Sequence, residues 1–244
     1  MKAKIEGLHI GIIMDGNGRW ATQKDKPRLF GHAAGVQTVI DVVGQCPSLG
    51  IHTVTLFAFA IANWKRDKYE VDGLWKLFHH FISNTAQELL QKGTKIIFIG
   101  NREGLPEEIR IAAEQLEEDS KNNNAILLQI ALNYDGVDEV ARMMQRAIAE
   151  GVKVEDVTVE YIQTHLDTQT DNEPDIIIRT GMPASQSDMS VWRSSGFMSI
   201  QSVQSVCVST PILWPDFTLI HLKKIIEYAK PDDRLFGGQR GSEQ

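Results

Sequence analysis

Hydrophobic positions along the chain follow two alternating periods. Apolar, β-prone runs occupy 8–14, 53–60, 94–99, 126–132 and 175–178, and each is followed within three residues by glycine, asparagine or a charged residue, so each reads as a strand. Between them the spacing becomes helical. The stretch 31–45 places Val36, Val39, Ile40 and Val43 on one face, and 70–91 repeats Val71, Leu74, Trp75, Phe78, Phe81, Ile82, Ala86, Leu89 and Leu90 before Gly93 stops it. Helices follow at 106–121, with proline in its first turn, and at 137–149 and 159–166. The charged segment 23–28 and the segments 122–124 and 168–174 are loops or linkers. A further β-prone run, 200–208, lies in a stretch without carboxylates from Arg193 to Leu213, and a turn at 214–217 leads into a last helix at 219–229.

This alternation predicts an α/β fold, a central, mostly parallel β-sheet flanked by helices on both faces. The length suits a single domain over 1–244 with a tail after about residue 238. In such sheets ligands bind outside the carboxyl ends of the strands. Arg19, Arg66 and Arg179 each follow a predicted strand, so they are either gathered at one edge around one or two polyanions or are scattered surface charges.

The most informative stretch is 9–20, HIGIIMDGNGRW, in which an apolar run ends on Asp15 and a glycine turn. Gly16 and Gly18 permit tight turns and close approach of backbone N–H groups to a ligand, with Asn17 between them. Arg19 offers a guanidinium fork for phosphate oxygens. Asp15 cannot bind phosphate directly but can hold a Mg²⁺ that does. A strand-end diphosphate and Mg²⁺ site is one reading; an ordinary strand-to-helix turn with a capping Asp is the other.

Composition narrows the classes. With 42% hydrophobic and 23% charged residues the chain is an ordinary globular protein. A net charge of −7 argues against a general nucleic-acid binder. Cys46 and Cys207 read as reduced thiols, no apolar run reaches the length of a membrane span, and the first six residues are not a signal peptide, so a soluble cytoplasmic protein without an integral membrane segment is expected.

The motifs MDGNGRW (14–20), FGHAAG (30–35), NWKR (63–66) with Glu70 following, NYDG (133–136), IIIRT (176–180), Trp192, LWPDF (213–217) and FGG (236–238) occur in this order. With them the chain resembles the cis-prenyltransferases, the undecaprenyl-diphosphate-synthase-like enzymes. The resemblance implies a homodimer that joins prenyl diphosphates with Mg²⁺. It implies that Asp15 holds the metal and that Gly16, Asn17, Gly18, Arg19, Arg28 and Arg66 grip an allylic diphosphate. It places His32 and Asn63 near the reacting carbon or the leaving group; read without it, His32 is a helix N-terminal residue with a local hydrogen bond. Arg179 and Ser187 would hold a second diphosphate, with Ser185 at the position of a second arginine.

That second site departs from the family pattern. Pro183 replaces a glutamate and Ser185 an arginine, no carboxylate follows Trp192, and Leu235 stands where an arginine usually reaches across the dimer. The loop 60–64 lacks the family's hydroxyls and carboxylate. An intact first site beside a remodelled second one resembles the lavandulyl and cyclolavandulyl diphosphate synthases, which couple two dimethylallyl diphosphates head-to-middle. The competing readings are a regular short-chain enzyme using isopentenyl diphosphate and a non-catalytic partner subunit; a complete ionisation site speaks against the latter. Trp20, Trp64, Trp75 and Phe78 are candidate pocket residues, and with Phe81 and Phe197 some are also ordinary core.

Overall fold

The computed structural model describes residues 7–168, 173–183 and 192–229. The strands are β1 (Leu8–Ile13), β2 (Ile51–Ala60), β3 (Thr94–Ile99), β4 (Ile126–Tyr134), β5 (Ile176–Arg179) and β6 (Val206–Ser209). The helices are α1 (Asn17–Thr22), α2 (Arg28–Val43), α3 (Lys68–His80), α4 (Gln87–Gln91), α5 (Glu107–Ser120), α6 (Gly136–Ala149), α7 (Val159–His165) and α8 (Leu219–Ala229). Among the described residues the strands form one sheet in the order β3-β4-β2-β1-β5-β6, every neighbouring pair parallel. The order reverses at β1, which has β2 on one side and β5 on the other. A crevice opens at the carboxyl ends of strands at such a switch point.

Alternating side chains give the sheet two buried faces. Ile10, Ile12, Val54, Leu56, Leu128 and Ile130 share a core with residues of α2, α3, α5 and α8. Ile13, Phe57, Ala131 and Ile177 form a smaller core with Phe197 and Met198. A buried polar row runs beside it: the His9 ring nitrogen Nε2 lies 2.7 Å from Thr55 Oγ1, and that hydroxyl donates to Gln129 Oε1 at 2.9 Å.

Several elements differ from the sequence expectation. Helix α1 was not expected, because Gly16 precedes it and Gly18 lies within its first turn, where helix propensity is poor. Packing supplies what propensity lacks: α1 lies against α2, where a Cβ on Gly31 would sit 1.9 Å from the carbonyl oxygen of Asn17. Helix α2 starts at Arg28 rather than 31, because Pro27 sits at its N-cap with a non-helical ψ. Strand β2 begins two residues earlier, and β4 runs two residues further and takes in Asn133 and Tyr134. Of the run 200–208 only the end is strand. The predicted helix 70–91 is broken. Asp67 caps it at the backbone N–H of Tyr69, so it starts at Lys68, and a π-helical turn at Phe81–Thr85 separates α3 from α4. Periodicity cannot reveal that turn, since its extra residue leaves Phe81, Ile82, Ala86 and Leu89 all buried.

Gly31→Ala is expected to cost about 3 kcal/mol, the range of an overpacked core position, because the methyl would meet backbone rather than a side chain that can move. Urea unfolding should show a lower midpoint with an unchanged slope; an unchanged midpoint would contradict the α1–α2 contact.

Candidate active site

The residues expected at strand ends meet at the switch point. Asp15, just past β1, accepts hydrogen bonds from Arg19 Nη2 at 3.0 Å and from Arg179 Nη2, at the end of β5, also at 3.0 Å. The turn is tied down on all sides. Thr180 Oγ1 and the backbone N–H of Trp214 both donate to the Asp15 carbonyl, and Arg19 Nη1 donates to the carbonyl of Gly181. Gly16 has φ 111°, the left-handed conformation glycine tolerates, and from it α1 begins. The first N–H groups of a helix have no partner within it, so Gly16 to Arg19 present donors there.

A second cationic group sits beside the first. Glu70 Oε2 accepts from Arg28 Nε at 3.0 Å, and Oε1 accepts from Arg66 Nη1 at 3.1 Å. The Arg28 guanidinium lies across Gly18, where a Cβ would come within 2.7 Å of its central carbon. Burial pushes the Glu70 carboxyl upward, but the hydrogen bond and charge of Arg28, with Arg66 behind, hold it below the usual carboxylate range. Four guanidiniums against two carboxylates leave the site cationic, which suits a diphosphate.

An apolar cavity of about 90 Å³ runs inward from this cradle, with Met14, Asn17, His32, Phe78, Phe81 and Trp214 among its walls. His32 is neutral at neutral pH: burial first, then the charges of Arg66 and Arg28, lower its pKa to about 4 against the opposing pull of Glu70. Of the candidate pocket residues, Phe78 lines the cavity. Trp75 is buried behind it, in an aromatic cluster with Phe59, Trp64 and Phe78. Trp64 is 41% exposed and donates to Asn133 Oδ1. Trp20 lies off the cavity, stacked on Phe30 and bonded to Asp216. Asn63 accepts from the Ala60 N–H at 3.0 Å and so shapes the turn that presents Arg66. Ser185 and Ser187 lie outside the described residues, as do Arg234 and Leu235.

Arg179, read as a second-site residue, bridges to the first through Asp15. Its Nη1 donates to the Arg193 carbonyl at 2.6 Å and to Ser195 Oγ at 3.0 Å. The segment carrying those acceptors is held from below by the buried Glu139, whose oxygens accept from Tyr134 and Gln201. Burial pushes the Glu139 carboxyl up. Sequence reading assigned no role to Glu70, Thr180 or Glu139. Only Glu70 carried a signal, its place four residues after Arg66 and directly behind the NWKR motif.

No group of three or more metal-ligating side chains gathers among the described residues. Mg²⁺ typically takes one or two carboxylates together with substrate phosphates and waters. Asp15, 35% exposed beside a cationic cradle, fits that pattern as the single protein ligand of a metal held jointly with a diphosphate.

His32 makes stability pH-dependent. Between pH 6.5 and 4 the unfolded chain binds a proton that the folded chain does not, so stability falls as pH drops through that window. At about 1.4 kcal/mol per pH unit, wild type should lose about 3 kcal/mol relative to His32→Asn between pH 7 and 4.5. Urea unfolding at each pH would test this; parallel profiles would contradict a buried neutral imidazole.

Comparison with known proteins places this geometry. A family described as putative undecaprenyl diphosphate synthase matches residues 13–237. Isoprenyl transferases of Clostridium perfringens and Agrobacterium fabrum are each 38% identical, over 234 and 233 residues, which is 94% of this chain and 89% and 91% of theirs. The crystal structure of lavandulyl diphosphate synthase from Lavandula x intermedia in complex with dimethylallyl diphosphate superimposes with a TM-score of 0.85 at 27% identity, covering 96% of this chain and 99% of that one. A probable undecaprenyl diphosphate synthase from Campylobacter jejuni gives 0.77 at 25% identity with the same coverage. The chain therefore belongs to the undecaprenyl-diphosphate-synthase-like family of cis-prenyltransferases and is a prenyl diphosphate synthase.

Proposed function

We propose that this enzyme couples two molecules of dimethylallyl diphosphate head-to-middle and closes the product to a C10 cyclolavandulyl-type diphosphate. The observation that carries this is the contrast between two sites. The cradle of Asp15, Arg19, Arg28 and Arg66 is complete, while Pro183 and Ser185 occupy second-site positions that are usually charged in the family. Drift would damage both sites; a change confined to the second fits a different second substrate. The likeness to lavandulyl diphosphate synthase supports the reading. The isoprenyl transferase names of the relatives favour a second reading, regular chain extension with isopentenyl diphosphate.

The mechanism follows from charge. The arginines and the α1 backbone donors bind the diphosphate and stabilise it more strongly as the C–O bond breaks and its charge grows. Mg²⁺, bound through Asp15 and the diphosphate, would supply a divalent charge to the leaving group. The apolar cavity excludes water from the allylic cation, and residues 60–62 (Ala-Ile-Ala) offer no side-chain nucleophile. Association as a homodimer belongs to the same proposal; Val137, Met144 and Ile148 form an exposed apolar stripe on α6 that suits an interface.

Purified protein with Mg²⁺ and dimethylallyl diphosphate alone should yield a branched or cyclic C10 diphosphate, seen by mass spectrometry and NMR, and chelation should abolish it. Product only when isopentenyl diphosphate is present would make this a regular elongating enzyme. Trp75→Ala and Phe78→Ala should lengthen or broaden the products; an unchanged product from folded variants would remove the aromatic plug as the size limit.

A further inference from the structure

No residue of the NYDG motif at 133–136 is among the walls of the cavity, yet its first residue is held in an unusual way. Asn133 is 4% exposed and has φ 50°, the left-handed region that most side chains avoid and asparagine tolerates. Both ends of its amide are used. Nδ2 donates to the Asn101 carbonyl at 2.9 Å, and Oδ1 accepts from Trp64 Nε1 at 2.8 Å. The Asn133 carbonyl in turn accepts from the Asn101 backbone N–H at 3.1 Å. Gly104 closes in on the amide, since a Cβ there would come within 2.5 Å of Nδ2.

These constraints select the residue type. Glycine would accept the backbone conformation but brings no amide. Aspartate would turn a carboxylate oxygen toward the Asn101 carbonyl, acceptor against acceptor. Asparagine alone combines the left-handed backbone, an acceptor for the indole and a donor for the carbonyl.

The partner is as informative. Trp64 packs its ring at 5.3 Å from Phe59 and 5.2 Å from Trp75, but 41% of it is exposed, so packing on one side does not fix the indole. Its N–H can only donate, and Asn133 anchors it to the end of β4. Trp64 belongs to the turn Ile61–Lys65. On one side of it Asn63 accepts from the Ala60 N–H; on the other, the Arg66 N–H donates to the Asn63 carbonyl at 3.0 Å. Anchoring the indole therefore sets where Arg66 leaves the turn to meet Glu70.

We propose that Asn133 is a positioning residue of the cationic cradle: through the Trp64 indole it holds the turn that presents Arg66. The role rests on the reading of the cradle as a diphosphate site, but not on which carbon attacks in the coupling. Recognition of a diphosphate depends on aligned N–H groups, so a turn that shifts weakens it without touching the ligand.

The test compares wild type with Asn133→Gly, Trp64→Phe and the double variant, each checked for folding by circular dichroism. Glycine keeps the left-handed backbone and removes the amide; phenylalanine keeps an aromatic ring and removes the donor. The Trp64 indole N–H signal, assigned in ¹⁵N NMR by its loss in Trp64→Phe, should move in Asn133→Gly and lose at least tenfold in protection from hydrogen exchange. Affinity for inorganic diphosphate, read by calorimetry, should fall about fivefold in Asn133→Gly, the size of one net hydrogen bond. The double variant should bind no more weakly than the weaker single one, because both changes break the same link. Losses that multiply in the double variant would mean that Asn133 acts by another route and overturn the proposal. So would an unmoved indole signal, or a lowered urea midpoint with diphosphate affinity kept within twofold, the mark of a merely structural bond. A wild type that does not bind diphosphate overturns the cradle reading and this role with it; a wild type that binds, with unchanged affinity in the folded variants, overturns only the role.

Discussion

The carboxylate of Asp15 holds Arg19 with one oxygen and Arg179 with the other, and the architecture of the catalytic end depends on that pairing. It ties β1 to β5 at the point where the strand order reverses. It also fixes two guanidiniums that would otherwise repel. Glu70 does the same for Arg28 and Arg66. Partly exposed pairs of this kind add little to global stability. Their value is geometric: each carboxylate takes one side of its arginines, so the guanidiniums are held in place for the diphosphate proposed to bind there.

Much of this was legible in the sequence because it depends on local signals. The strand ending at Asp15, the glycines after it and the arginines after three strands all follow from period and turn chemistry. The parallel sheet follows from alternation. What was not legible depends on contacts between distant segments. Helix α1 exists because bare α2 backbone at Gly31 lets it dock. Trp20, one residue after Arg19, turns to Phe30 and Asp216 instead of the cavity, a choice made by residues far along the chain. Glu139 is 0% exposed and secures the segment that faces Arg179, yet on α6 it reads as one more surface acid.

The π turn at Phe81–Thr85 links helix geometry to the cavity. It begins at Phe81, three residues after Phe78, and these are two phenylalanines of the cavity wall. Single π turns often mark functional sites, since the added residue re-aims the side chains around it. Here one helical wall presents aromatic rings both to the cavity and to the core behind, where Phe59 and Trp75 pack at a tilt. A cavity closed by packed rings cannot widen without moving that cluster, because protein interiors leave little free volume.

The Asp15–Arg179 pair also has a temporal side, since its partners are 164 positions apart in the chain. At a translation rate of roughly 5 to 20 residues per second, about 8 to 30 s separate their synthesis. Late in that interval, once residue 134 is made, the nascent chain carries β1 to β4 and the hydrophobic residues that cover one face of them. The catalytic end still lacks a strand, and Asp15 lacks its second arginine. A ribosome-bound intermediate of this enzyme would therefore hold most of its core while the proposed diphosphate site is still incomplete.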